Sequence, residues 1–229
     1  MCGIVGGVTE RNIVPILVEG LKRLEYRGYD SAGIAFQEQK KIALIKSLGR
    51  VQDLENKLNK NTSSTAGIAH TRWATHGIPS EKNAHPHTSN KNIYVVHNGI
   101  IENHEDLKSE LKSEGFKLYS QTDSEVICHL IEFYKQRGMD FDSSVMKAIS
   151  RLKGAYALAV MDKNEPETLI GVRQSSPLVV GEGFDENFLA SDIMALSPVT
   201  NKFKFLDDGQ VAFVTKNKIS ISSKDGRAA

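Results

Sequence analysis

The sequence begins Met1-Cys2-Gly3-Ile4-Val5-Gly6-Gly7, and the rest of the chain can be interpreted from this stretch. Residues 3–8 are apolar and rich in glycine, which predicts a short strand starting directly after Cys2. If Met1 is removed, Cys2 carries a thiol nucleophile and, a few bonds away, a free α-amine that can accept the thiol proton. The alternative is an incidental cysteine beside the start codon.

The α-amine and the thiol of an N-terminal cysteine are well matched for proton transfer. An α-amine has a pKa of about 7.7–8.0 and a cysteine thiol one of about 8.5, so no histidine is required as the base. The glycines of the same stretch match neither a P-loop nor a G-x-G-x-x-G motif. We interpret them as positions where the backbone comes close to a neighbouring segment or to the substrate.

Composition excludes several classes of protein. The 229 residues suit one large domain or two small ones, and 40% hydrophobic with 25% charged residues is ordinary for a globular protein. A net charge of +1 gives no support for nucleic acid or a membrane as the main partner. Because there is no signal-like start and no apolar stretch of about 18 residues, we expect a cytoplasmic protein.

Cysteine and histidine usage favours neither disulfides nor a metal site. Cys2 and Cys128 do not make a disulfide framework, and Cys128 lies in an apolar run typical of a core. Six of the seven histidines fall between residues 70 and 104, yet none belongs to a recognisable ligand motif. We therefore predict no metal and no cofactor.

Hydrophobic periodicity predicts an α+β domain. Helices are expected at 12–25, 51–58, 103–113, 124–137 and 142–152, with a short one at 192–196. Strands are expected at 3–8, 31–36, 41–46, 67–73, 92–97, 155–161, 168–173, 178–181, 188–191, 210–215 and 218–222. Since most strands follow one another through short turns, antiparallel sheets with helices packed outside are favoured. Residues 223–229 are small and polar, as in a tether or an artificial end.

The dipeptide Asn98-Gly99 has two interpretations. The Asn side-chain N–H and the Gly backbone N–H could converge on one oxygen and stabilise an oxyanion, each such donor being worth roughly 2.7–4 kcal/mol of barrier. Asn-Gly after a strand is also the commonest signal for a hairpin turn, with no catalytic role. The dipeptide alone does not decide between them.

Two charged residues could hold a zwitterionic amino acid. Arg72 ends a strand and could bind an α-carboxylate in bidentate fashion. Asp123 precedes a helix and could take an α-ammonium, although a simple N-cap is the alternative reading. An Arg and an Asp from separate segments would give each charge of the ligand a partner.

Six motifs occur together in the order of one known family. They are CGIVG at 2–6, LEYRGYDSAG at 24–33, AHTRWATHG at 69–77, NAHPH at 83–87, VHNGIIENH at 96–104 and TDSE at 122–125. With these motifs the chain resembles the glutaminase domains of glucosamine-6-phosphate synthases, which are class II glutamine amidotransferase domains. The resemblance covers at least residues 2 to 222.

The resemblance implies a fold and a set of site residues. The fold is the four-layer αββα sandwich of N-terminal nucleophile hydrolases, two antiparallel sheets between helix layers. The family's nucleophile falls on Cys2, its oxyanion hole on Asn98 and Gly99, and a support of the N-terminal residue on Arg27. Its glutamine clamp and pocket fall on Arg72, Trp73, Thr75, His76, His85 and Asp123. We find no departure from the family at these positions.

The resemblance also implies an activity and partners. Residues 1–229 would form one glutaminase domain that hydrolyses L-glutamine through a γ-glutamyl thioester, releasing glutamate and ammonia. Full-length members add sugar-phosphate isomerase domains, which use the ammonia to convert fructose 6-phosphate to glucosamine 6-phosphate in hexosamine synthesis, and are expected to be homo-oligomers. Two rivals remain: a cysteine N-terminal amidase for another amide, and a non-catalytic glutamine-binding module if Met1 is retained.

Overall fold

Two antiparallel sheets form the centre of the computed structural model, which describes residues 2–74 and 77–227. The strands are β1 (Gly3–Thr9), β2 (Ser31–Glu38), β3 (Lys41–Leu48), β4 (Ala66–Arg72), β5 (His87–Ser89), β6 (Ile93–Ile101), β7 (Gly154–Asp162), β8 (Leu169–Gln174), β9 (Val179–Glu182), β10 (Glu186–Ala190), β11 (Lys202–Phe205), β12 (Gln210–Val214) and β13 (Ile219–Ser223). The helices are α1 (Val14–Leu24), α2 (Val51–Lys57), α3 (His104–Ser113), α4 (Glu125–Gln136) and α5 (Phe141–Ile149), with short 3-10 helices at Glu25–Arg27 and Ile193–Ala195.

The strand order brings the N-terminal strand to the middle of its sheet. One sheet has the order β11-β9-β10-β1-β4-β2-β3 and the other β13-β12-β8-β7-β6-β5. In the first, β1 pairs with β4 on one side and β10 on the other, so Gly3 lies opposite Thr71 and Ile4 opposite His70. Cys2 is therefore held beside the end of β4, next to the segment that carries Arg72 and Trp73.

The helices cover the outer faces of the sheets, and three apolar clusters separate four layers. Helices α1 and α2 pack on the seven-stranded sheet, and α4, flanked by α3 and α5, packs on the six-stranded one. A third cluster fills the space between the sheets. The αββα sandwich expected from the sequence is confirmed.

Helix α1 shows how the pattern produces this packing. Its buried side chains recur at helical spacing from Val14 to Leu24, so one face is apolar and lies against β1 and β4. Pro15 stands in the first turn, where its missing N–H breaks no hydrogen bond.

No helix within residues 2–74 and 77–227 is long and apolar enough to cross a membrane.

The structure corrects three details of the expected elements. Strand β6 continues to Ile101 instead of ending at residue 97, so Asn98 and Gly99 lie within it and the hairpin-turn interpretation is wrong. Strands β5 and β11 were not among the expected strands. Both are short edge strands, and three or four residues are too few for a reliable periodic signal.

The inter-sheet face of β4 changes from apolar to polar along the strand. Ala66 and Ile68 belong to the cluster between the sheets, and His70 and Arg72 continue the same alternation. On β6, which faces it, Tyr94 and Val96 are apolar. Asn98 follows at the next position of that face. The two polar ends meet at the same side of the sandwich and create a buried polar layer there.

Gly33 on β2 allows a loop to reach this layer. It lies opposite His70 in the sheet register, and a Cβ built on it would stand 1.9 Å from the carbonyl oxygen of His85. The neighbouring atom is backbone, which cannot rotate away. A glycine is therefore required for the His85 segment to lie against the sheet.

We expect Gly33→Ala to lower the free energy of unfolding by about 1–3 kcal/mol, the usual cost of overpacking a core. Gly6→Ala in β1 is the matched control, because the nearest atom to its Cβ would be a side-chain methyl at 3.3 Å and the nearest backbone atom would be 3.5 Å away. Urea unfolding of both variants and the parent measures the difference. If Gly33→Ala were as stable as Gly6→Ala, the close approach of the His85 backbone would be contradicted.

Candidate active site

A cavity of about 390 Å³ opens at the polar end of the sandwich. Eight of the ten site residues expected from the sequence line it: Cys2, Arg27, Arg72, Trp73, His85, Asn98, Gly99 and Asp123. The other two, Thr75 and His76, lie outside the described residues. The cavity wall also includes His97, Ile100, Thr122, Ser124, Ser176 and Pro177. Residues far apart in the chain thus converge on one space.

The Cys2 thiol contacts the backbone at the end of β4. The Trp73 N–H donates a hydrogen bond to Cys2 Sγ at 3.2 Å, and the Trp73 carbonyl oxygen lies 3.5 Å from the same atom. Burial raises the pKa of the Cys2 thiol above its ordinary value, while the Trp73 N–H acts in the opposite direction. The thiol is therefore predominantly protonated near neutral pH and needs a base before it can act as a nucleophile.

The Asn98 carboxamide bridges the two sheets. Its Nδ2 donates to the Cys2 carbonyl oxygen at 3.0 Å, and its Oδ1 lies 3.0 Å from His70 Nε2. Asn98 is buried, with only 8% of the residue exposed. Because a carboxamide nitrogen carries two hydrogens, one remains for a ligand in the cavity.

Gly99 follows in a conformation that few other residues adopt. Its φ is +123°, and a Cβ at this position would lie 2.0 Å from the carbonyl oxygen of Ala155 on β7. The left-handed backbone and the close contact with β7 both require glycine. The pair Asn98-Gly99 is thus a distorted point inside a continuous strand that faces the cavity.

Arg72 is buried and held by several acceptors. Its guanidinium donates to the carbonyl oxygens of Gly77 at 3.0 Å and Ile78 at 3.4 Å. Asp30 Oδ1 stands 3.5 Å from Arg72 Nη1. With 4% of its side chain exposed, the guanidinium is a fixed positive charge in the cavity wall.

Asp123 is not the N-cap that the sequence allowed. Helix α4 begins at Glu125 with Ser124 in the N-cap position, and no side chain caps the helix there. The Asp123 carboxylate instead accepts the backbone N–H of Ile101 at 2.7 Å. This contact with β6 holds the buried carboxylate in the cavity wall. Arg72 lies in the same wall but belongs to a different element, β4.

Arg27 binds an acidic residue that the sequence analysis did not single out. Its Nη2 donates to Asp192 Oδ2 at 2.5 Å, and Tyr26 Oη donates to the same oxygen at 3.0 Å. Asp192 also accepts the N–H of Met194 and so starts the second 3-10 helix. This network joins the 3-10 helix after α1 to the segment after β10.

Trp73 is 56% exposed and stands at the edge of the cavity. Gly28 lies against its indole, since a Cβ there would meet Trp73 Cε3 at 2.3 Å. Gly28 also has a φ of +129°, which strongly disfavours a side chain. The expected EYRG motif thus supplies both a contact surface for Trp73 and the Arg27 network.

Asp30, like His70, has a role that the sequence did not indicate. Asp30 accepts the N–H of Ala74 and the hydroxyl of Ser31, and its own backbone N–H donates to the Arg72 carbonyl oxygen at 2.8 Å. Asp30 therefore fixes the backbone on both sides of Trp73. Its position inside the EYRGYDSAG motif, directly before β2, was the available signal.

Four of the buried histidines form a cluster at the cavity, which His85 and His97 line: His70, His85, His87 and His97. Burial lowers the pKa of His70 to about 3 and holds the pKa values of His85 and His87 well below their ordinary range. The rings of His70, His85 and His87 are therefore neutral at physiological pH. Within residues 2–74 and 77–227, no three His, Cys, Asp or Glu side chains are grouped to hold a metal ion.

Comparisons with known proteins agree with this geometry. A family described as a glutamine amidotransferase domain matches residues 70–198. The chain is 50% identical over 228 residues to the glutamine–fructose-6-phosphate aminotransferase (isomerizing) of Escherichia coli K12, and 52% identical over 222 residues to that of Acinetobacter baylyi. These alignments cover 99% and 96% of this chain but 37% and 36% of the two relatives. The chain thus spans little more than a third of their length.

A solved structure gives the same result for the fold. The glutamine phosphoribosylpyrophosphate amidotransferase of B. subtilis, complexed with ADP and GMP, superposes with a TM-score of 0.84 at 25% identity. The match covers 97% of this chain and 49% of the other. With this fold, the cavity that begins beside Cys2 and these similarities together, the chain belongs to the family of glutamine amidotransferase domains.

Proposed function

We propose that this domain hydrolyses the side-chain amide of L-glutamine with Cys2 as nucleophile. The observation that carries the proposal is the convergence of Cys2, Asn98, Arg72 and Asp123 on one cavity. A nucleophile, an oxyanion donor and two opposite charges are what an amide-cleaving site for a zwitterionic amino acid needs. The relatives are named as glutamine-dependent enzymes, which supports the same substrate.

The two charges of the clamp divide the work of binding. Arg72 takes the α-carboxylate of glutamine and Asp123 takes its α-ammonium. Thr75, His76, Trp73 and His85 complete the pocket, as the family resemblance implies. Because the charged end is held at both groups, the side-chain amide is directed toward Cys2.

The α-amine of Cys2 acts as the general base once Met1 is removed. Among the described residues, Cys2 Sγ hydrogen-bonds only with the backbone of Trp73, so no described side chain takes the proton. A thiol whose pKa is raised by burial needs such a base nearby. The support of the N-terminal residue falls to Arg27, which is fixed by Asp192.

The reaction proceeds in two balanced steps. In the first, the thiol proton passes to the α-amine, sulfur bonds to the amide carbon, and the amine returns the proton to the departing nitrogen as ammonia leaves. In the second, water bonds to the acyl carbon of the γ-glutamyl thioester as the carbon–sulfur bond breaks; glutamate is released, and the proton that the α-amine takes from water returns to sulfur to restore the thiol. Asn98 Nδ2 and the Gly99 N–H stabilise the oxyanion of both tetrahedral stages.

In the whole protein the ammonia goes to a sugar phosphate. The relatives that this chain resembles are named for fructose 6-phosphate and isomerisation, and they are nearly three times as long. We infer that residues 1–229 form the glutaminase domain of such an enzyme, that missing isomerase domains bind fructose 6-phosphate, and that the full-length protein is a homo-oligomer. Two unpaired cysteines, Cys2 and Cys128, fit a cytoplasmic enzyme.

Retention of Met1 should abolish ammonia release from glutamine, because it blocks the α-amine that acts as base. Cys2→Ser should do the same by removing the better nucleophile, and neither change should shift the thermal unfolding midpoint by more than about 2 °C, as for a surface substitution. Ammonia release is measured beside the intact mass of each sample. Robust turnover by a sample whose mass shows Met1 intact would refute the proposed base.

We expect Asp123→Asn to raise KM for glutamine by roughly 10- to 100-fold, the value of a hydrogen bond to a charged group at about 1.5–3 kcal/mol. The value of kcat should change little, since the ammonium is remote from the scissile amide. Steady-state kinetics with glutamine and with glutaramate, which is glutamine without its α-amino group, separates the clamp from a general structural effect. Glutaramate has no ammonium, so its kcat/KM should be insensitive to the substitution.

Asp106→Asn is the control for this experiment, because Asp106 is exposed on α3 outside the cavity wall. It should leave both substrates unaffected. If Asp123→Asn impaired glutaramate as much as glutamine, Asp123 would have no role in holding the ammonium. A parent enzyme that hydrolysed glutaramate as well as glutamine would instead favour the rival amidase.

A further inference from the structure

The orientation of the Asn98 carboxamide is fixed from two sides. On one side Nδ2 meets the Cys2 carbonyl oxygen, which can only accept a hydrogen bond. On the other side Oδ1 meets His70 Nε2. If the amide were turned over, two oxygens would face each other at Cys2, and the nitrogen would face the imidazole.

The His70 ring must be a donor at Nε2. This atom lies 2.9 Å from the backbone carbonyl oxygen of His97 as well as 3.0 Å from Asn98 Oδ1. Because a backbone carbonyl oxygen cannot donate, Nε2 carries the hydrogen and shares it between two acceptors. The tautomer is thereby determined by the contacts, and Asn98 can only present its oxygen to His70.

The plane of the His70 ring is fixed as well. His85 stacks on it with ring centroids 4.1 Å apart and an angle of 16° between the planes. His85 is itself anchored, since its Nδ1 accepts the His97 N–H at 3.2 Å and its carbonyl oxygen lies against Gly33. His70 is completely buried, so solvent cannot compete for Nε2.

We propose that His70 is a positioning residue that holds the Asn98 carboxamide with its N–H₂ group toward Cys2 and the reacting amide. The assignment rests on the proposed function for its catalytic consequence, but the orientation itself can be measured without turnover. His70 touches neither the substrate nor the thiol in this arrangement. It acts through Asn98 by preventing rotation of the amide, so the donor is in place before the oxyanion forms.

The test compares His70→Leu, which removes the donor, with His70→Gln, which can return an N–H close to the position of Nε2. For His70→Leu we expect kcat to fall by more than about 10-fold but by no more than the roughly 10²–10³-fold of losing an oxyanion donor, with KM for glutamine within about twofold. His70→Gln should recover most of kcat.

The control is His129→Leu, which removes another buried imidazole. The His129 ring is hydrogen-bonded to Ser89, and the residue is far from Asn98 in sequence and outside the cavity wall.

A double-mutant cycle with Asn98→Ala separates positioning from general structure. In the Asn98→Ala background, His70→Leu should change kcat by less than about twofold, since residues that act through one another are non-additive. His129→Leu should lower the unfolding midpoint and leave kcat unchanged. An equal kcat loss in both backgrounds, or a His70→Gln enzyme no better than His70→Leu, would overturn the proposal.

The side-chain amide resonance of Asn98 gives a readout that needs no activity. It is identified in the ¹H–¹⁵N spectrum as the pair of signals lost in Asn98→Ala. We expect it to be a sharp, shifted pair in the parent and in His129→Leu, and to broaden or move toward solvent-exposed values in His70→Leu. An unchanged pair in His70→Leu would contradict the positioning role even if the parent proved inactive on glutamine.

If His70→Leu fails to fold, His70→Asn replaces it in each of these measurements, because its shorter amide cannot reach Asn98 Oδ1.

Discussion

The candidate site depends on a hydrogen-bonded bridge between two sheets whose facing side chains are mostly apolar. Asn98 belongs to the six-stranded sheet, while Cys2 and His70 belong to the seven-stranded one, and the amide joins them at about 3 Å on both sides. A buried polar group without partners is costly, so the amide favours the one arrangement in which both ends are satisfied. The same arrangement places a donor beside the nucleophile. Stability of the interface and readiness of the site therefore come from the same contacts.

The rest of the cavity is built by backbone constraints. Gly33 and Gly99 allow backbone atoms to approach where a side chain would collide with a carbonyl oxygen. Asp30 and Asp123 accept backbone N–H groups with one part of their carboxylates and face a charged or polar neighbour with another. Arg72 and Asn98 lie on strands and Asp123 lies just before a helix, which keeps their positions within the small tolerance that an enzyme site allows.

Much of this arrangement could be predicted from the sequence, and the limits have physical causes. Alternating apolar residues in β4 and the helical spacing in α1 predict the layers correctly, because packing determines both. The motifs carried by Cys2, Arg72 and Asp123 indicate which residues belong together. Asn98-Gly99 was ambiguous because the signal for a turn and the signal for a distorted strand are the same glycine. Asp30 and His70 were missed as contacts because their roles arise from tertiary pairing, of Asp30 with the end of the neighbouring strand β4 and of His70 with the opposite sheet, which local sequence does not contain.

The central claim is that the Asn98 amide is an oxyanion donor and does not serve merely to stabilise the strand. Steady-state glutamine hydrolysis by Asn98→Ala, measured on protein shown by mass to lack Met1 and alongside thermal unfolding, tests it most directly. The account predicts a kcat roughly 10²–10³-fold below the parent, with KM little changed and the protein still cooperatively folded. An Asn98→Ala enzyme that turns over glutamine within a few-fold of the parent would contradict it.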